Sequence, residues 1–76
     1  MTDQHAAIAA RIADLERRML HHMTQCLSGR VGCGAIVALA HARKEWAHNR
    51  PECDAVAARD LDRCESYMRH MEGSKP

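Results

Sequence analysis

Along the first third of the chain a seam recurs at steps of four and three. It runs Ile8, Ile12, Leu15, Met19, His22 and Cys26, the spacing of one helix face. Leu20, Met23 and Leu27 broaden it, while Arg11, Asp14, Glu16, Arg17 and Arg18 fall on the outer faces. The pattern predicts a helix over about 3–27, with Thr2 as cap, Asp3 near its positive end, and Ser28-Gly29 ending it. A second seam, Ala35, Leu39, Ala42 and Trp46, widened by Ile36 and Val37, predicts a helix over about 35–48. The run Ala35 to Ala40 could be a strand by periodicity alone, but a helical continuation follows and no second strand is available to pair with it. Asn49-Arg50-Pro51-Glu52 is a stop and a start: a capping residue, Pro at the first helical position, and an acid just inside. The third helix then runs to about 71 and carries Cys53, Ala57, Leu61, Cys64, Met68 and Met71 on one stripe. Gly73 is expected as its terminating residue.

Three helices with short connections predict an all-α fold in which the 76 residues form one small antiparallel domain. Its apolar content is mostly alanine, with no Phe, one Trp and one Tyr. A core this thin calls for a staple, a structural metal, or a larger assembly to dock on. The net charge is +1, and acids and bases are interspersed rather than grouped. That pattern lacks the basic stripe of a nucleic-acid footprint. The six His add positive charge in mild acid if exposed. The longest apolar run, Ala35 to Ala40, is far below the roughly 20 residues of a membrane span. The first twenty residues hold no continuous apolar region with a cleavage site, so entry into any organelle would proceed without a cleavable leader.

Candidate chemistry is confined to the cysteines. R-V-G-C-G, residues 30–34, is a turn, because a phosphate loop needs a Gly-Lys-Ser/Thr ending. No Ser/His/Asp or Cys/His/Asn set is present, and Asp60 and Asp62 lie on different helix faces. The expectation is a non-enzymatic chain without cofactors. In an up-down-up bundle Cys26, Cys33 and Cys64 gather at one pole and Cys53 lies at the other, near Trp46. One of Cys26–Cys64, Cys33–Cys64 or Cys26–Cys33 can then form. If residues 27–32 are extended, nested bridges Cys26–Cys64 and Cys33–Cys53 become an alternative, since an extended segment spans roughly 3.3 Å per residue. Each bridge would contribute about 2–4 kcal/mol. The same pole offers a zinc alternative of Cys26, Cys33, Cys64 and His22. Four reduced thiols packed as small apolar groups are the plain alternative, and the methionines are core filler before they are copper ligands.

Cys53 and Cys64 are eleven positions apart, which brings them within about 20° of each other, three turns along a helix. The segment E-C-D-A-V-A-A-R-D-L-D-R-C-E-S-Y-M resembles the second helix of twin-cysteine helix-hairpin (CHCH) proteins of the mitochondrial intermembrane space. Those proteins carry C-x9-C, and sometimes C-x10-C, on each helix of a hairpin. Cys53-x10-Cys64 follows the longer variant. The preceding segment departs from it, with Cys26-x6-Cys33 and Ser28 and Gly29 between. The resemblance covers about residues 51–71. It implies an intermembrane-space location, trapping by disulfide formation, and a role as accessory subunit of a respiratory complex among other protein subunits. A competing expectation is a small helical adaptor or inhibitor in a bacterial or phage-infected cytoplasm; a zinc-stabilised domain is a third. The partner surface is expected at Arg43, Lys44, Trp46 and Arg50, where the one Trp lies among cations. Trp46 would rigidify the corner between the second and third helices.

Overall fold

A computed structural model describes residues 3–25 and 33–73, the side chains of Gln25 and Cys33 excepted. Within them the chain forms three helices and no strands: α1 Asp3–Gln25, α2 Cys33–Trp46 and α3 Pro51–Gly73. The expected all-α, three-helix arrangement is observed. Thr2, Cys26, Leu27 and the Ser28-Gly29 stop lie outside the described residues, as does the turn at 30–32.

Why α2 ends and α3 begins is local. Ala47 N–H still donates to Arg43 O at 3.0 Å, whereas His48 and Asn49 tighten onto Glu45 and Trp46 carbonyls at 3.1 and 3.0 Å. Asn49 then turns left-handed, with φ 55°, which Asn tolerates better than most side chains. Arg50 O accepts the first bond of α3, from Asp54 N at 2.8 Å, so Pro51 takes the position whose N–H would have no partner. Three boundaries differ from expectation. α2 starts at Cys33 and ends at Trp46, each two residues early, and Gly73 is the last residue of α3 rather than the one beyond it.

The helices run up, down and up. His5 near the start of α1 meets Asp54 near the start of α3, and Arg18 near the end of α1 meets Glu65 and Glu72 near the end of α3. α2 runs opposite: its first residues meet Cys64 and Tyr67, and its last, Trp46, meets His5. The most extensive packing is α2 on α3, and the thinnest is α1 on α2.

The core is Ile8, Ile12, Leu15, Leu39, Leu61, Cys64 and Met68, with Ala35, Ala38, Ala42 and Ala57 between helices. Leu15, Leu61 and Met68 are almost fully buried, and each contributes roughly 1.5–3 kcal/mol. The expected widening of two seams is corrected here. Ile36 and Val37 are exposed by 47% and 64%, and Leu20 and Met23 by 62% and 46%. The reason is close approach. Ala35, Ala38 and Ala42 form a small-residue face on α2 that lets it settle onto α3. Turning that face inward turns Ile36 and Val37 outward.

A candidate protein-docking furrow and its polar clasps

Because α1 packs thinly on α2, an open furrow runs between them. At one end it is lined by Met19, Leu20, Met23, Ile36, Leu39 and Ala40. At the other end it is lined by Ala9, Ile12, Ala13, Trp46 and Ala47. Glu16 and Arg43 belong to both halves. They pair across the middle at 3.2 Å, each substantially solvent-exposed. Among the described residues, five large apolar side chains are exposed. Leu20, Met23, Ile36 and Val37 sit at the end of α1 and the start of α2, which is one pole. The fifth, Tyr67, lies over Gly34 at that pole, where a Cβ would come within 2.8 Å of Tyr67 Cζ.

Three polar clusters hold the helices that shape the furrow. At the opposite pole His5 Nδ1 lies 2.9 and 3.1 Å from the two oxygens of Asp54, both residues buried. Trp46 Nε1 donates to His5 O at 2.9 Å, and the indole stacks on the imidazole with centroids 4.6 Å apart. One knot therefore ties all three helices. Trp46 is half-buried, and α1 clasps it, so its place is not simply the α2–α3 corner. At the furrow's pole Arg18 donates to both oxygens of Glu65 at 2.8 and 2.7 Å and to Glu72 at 2.6 Å. Arg18 was expected on an outer face; it is turned onto α3 and half-buried. Its hydrogen bonds hold the Glu65 and Glu72 carboxyls below the usual carboxylate range and push the guanidinium itself up. On the remaining face Asp60, nearly buried, accepts from Arg63 at 2.6 Å and pairs with His41, whose other nitrogen faces Glu45 at 3.7 Å. Asp62 points away and pairs with Arg11 at 2.9 Å.

The cysteines divide between the poles. Cys64 is fully buried and donates to Ala35 O at 3.5 Å. Burial, and after it the charge of Glu65, pushes its thiol up. Cys53 is half-buried at the Trp46 pole. Burial and a hydrogen bond to Glu45 raise its thiol as well. Both are free thiols in this structure. Glu45 stands twelve positions beyond Cys33, about 18 Å along α2. Cys53 beside Glu45 is therefore out of reach of Cys33, and the nested Cys33–Cys53 pairing does not fit, since bridged Cα atoms lie within about 7 Å. Cys26 and the Cys33 side chain lie outside the described residues, so the zinc set has only Cys64 and His22 inside them. Among the described residues no group of three or more His, Cys, Asp or Glu converges on a metal position, and no helix is long and apolar enough to cross a membrane.

Of the expected partner residues, Arg43 lies at the middle of the furrow and Trp46 in its small-residue half. Lys44 and Arg50 are exposed nearby. The apolar residues that line the furrow, Leu20, Met23 and Ile36, were not among the expected partner residues. His5 and Asp54 were also missed, although a signal exists. Extending the first seam one step back from Ile8 lands on His5, and a step of three rather than four back from Ala57 lands on Asp54 instead of Cys53. Comparison with known proteins gives no match to a family model, a curated protein or a solved structure.

Proposed function

We propose that the protein is a non-enzymatic helical accessory subunit that docks on protein partners through the α1–α2 furrow. One observation carries this reading. The large apolar side chains exposed among the described residues are gathered at one pole instead of scattered, and three of them, Leu20, Met23 and Ile36, line the furrow. Singly scattered apolar residues are ordinary on a protein surface, whereas a contiguous group rimmed by charge marks an interaction site. Glu16 and Arg43 supply charge at its edge.

The favoured setting is a CHCH-like subunit of a mitochondrial respiratory complex on the intermembrane-space side. The helical hairpin of α2 and α3 supports it, as does the placement of two thiols along the inner side of α3. In that setting at least one disulfide staples the domain, joining Cys64 to Cys26 or Cys33, or those two to each other. A relay disulfide would be the oxidant, reduced to two thiols as the staple forms.

The test is incorporation. Leu20→Asp with Ile36→Asp changes two exposed positions, so helicity and melting temperature should hold. The variant should leave the high-mass band that the tagged wild-type chain joins on a native gel of its own cells. Arg43→Ala, Lys44→Ala and Arg50→Ala together should weaken incorporation with helicity intact. If the double aspartate variant joins the same band in undiminished amount, the furrow is not the docking surface. Thiol trapping before lysis tests the staple: four alkylated cysteines without reductant would remove it.

A further inference from the structure

The two halves of the furrow are unlike, and the difference has a consequence. One half is built from large side chains: Met19, Leu20, Met23 and Ile36. The other is rimmed by small ones, Ala9, Ala13 and Ala47, over a floor of Ile12 and Trp46. Between them stand one acid and one base, Glu16 and Arg43, 3.2 Å apart and both open to solvent.

We infer that this furrow is an isologous interface and that its occupant is a second copy of the chain. A two-fold axis through the Glu16–Arg43 pair lays the large half of one copy over the small half of the other. Leu20, Met23 and Ile36 become knobs, and the alanine-rimmed half becomes the hole that receives them. The same axis brings Glu16 of each copy to Arg43 of the other, so both charges stay paired on association. A two-fold contact requires a surface complementary to itself, and a furrow with a large end, a small end and one ion pair at its midpoint has that property in both shape and charge. The inference rests on the furrow being a protein-docking surface and names its partner.

The experiment is sedimentation equilibrium of the purified full-length chain up to about 1 mM, the weak end of specific association. Wild type should show a monomer–dimer equilibrium. Leu20→Asp with Ile36→Asp should be monomeric. The decisive arm is a charge exchange. Glu16→Arg alone sets Arg against Arg across the axis twice, and Arg43→Glu alone sets Glu against Glu. Each should weaken self-association at least about tenfold. Mixing the two single variants restores both cross-axis pairs, so they should form a heterodimer with each other in preference to either homodimer. The double variant Glu16→Arg/Arg43→Glu should dimerise as wild type does. A wild-type chain monomeric throughout the range overturns the second-copy inference. So does a pair of single variants that show no preference for each other. Neither result touches the docking reading, which fails separately if the double aspartate variant keeps its place in the native assembly.

Discussion

Asp54→Ala is the most informative single perturbation of this fold. Asp54 is 4% exposed and accepts from His5, itself 4% exposed. Removing the carboxylate leaves the imidazole N–H buried without that partner, a loss of about 1–3 kcal/mol for a neutral donor and about 3–5 kcal/mol if the pair is ionised. Asp54 also lies in the first turn of α3, where a negative charge contributes about 0.3–1 kcal/mol through the helix dipole. A loss of about 2–4 kcal/mol follows, against a total of roughly 4–11 kcal/mol for a chain of this length. For a domain of this size each kcal/mol moves the midpoint by about 4–8 °C, so a thermal melt followed by far-ultraviolet circular dichroism should shift down by at least about 8 °C. A double-mutant cycle with His5→Ala should give a coupling of at least about 1 kcal/mol. Trp46→Phe, which keeps an aromatic ring but loses the indole N–H to His5 O and part of the packed indole, should cost at least about 0.5–1.5 kcal/mol. If Asp54→Ala melts within about 3 °C of wild type, or the cycle is additive, the buried knot does not hold the three helices as argued.

Other consequences are as direct. Gly34→Ala should gain about 0.5–1 kcal/mol only when Tyr67→Ala has first removed the ring that the new Cβ would meet, and urea unfolding of the four variants reads the sign change. The lowered Glu65 and Glu72 carboxyls stabilise the fold above the ordinary carboxylate range, and that contribution is lost as pH falls through their depressed values. Arg18→Gln should therefore flatten the acid limb of a stability–pH profile, and an unchanged limb would mean these pairs contribute nothing. Glu45→Gln should speed alkylation of Cys53, because the carboxylate that raises its thiol is gone, while Cys64 stays slow in both proteins.

The helices were legible because each writes its buried face as a repeat of three and four, and the stop at Asn49-Arg50-Pro51 is local chemistry. How far each buried face extends around its helix was not, since the seam Ala35, Leu39 and Ala42 is buried as read but the residues expected to widen it are exposed. On α2, periodicity ranks Ile36 and Val37 as better core candidates than Ala38, since it counts apolarity and not fit. The closeness of α2 to α3 decides otherwise, and closeness is a property of two helices at once. The furrow follows from that choice, so its apolar centre could not be found from either helix alone. The buried charges were hidden for a related reason. His5 and Asp54 are 49 positions apart, and each looks like an ordinary surface residue until the parallel run of α1 and α3 brings their seams level. The docking residues expected from composition, Arg43 and Trp46, border the furrow because a residue that closes a helix pair also borders the gap beside it.

The same facts bear on why a domain this small leaves a furrow open. α2 and α3 form a tight pair through alanines, and α1 is laid across them. What holds α1 is apolar along Ile8, Ile12, Leu15 and the half-buried Met19; toward its two ends polar fastenings are added, through His5 at one and Arg18 at the other. Such fastenings fix position more than they add net stability, because each bond replaces one made with water. A third helix held this way keeps its orientation while one flank stays uncovered. Filling that flank from within would take larger residues at positions 9, 13 and 47, which are alanines, and a leucine at each would bury the flank inside one chain. Leaving alanine there keeps the flank as a socket, and placing Leu20, Met23 and Ile36 at the far end supplies the shape that fits it. The expected outcome is that Ala13→Leu raises the melting temperature of the isolated chain and abolishes its self-association together. A variant stabilised in this way that still dimerises as wild type does would show that the socket is not where the second copy sits.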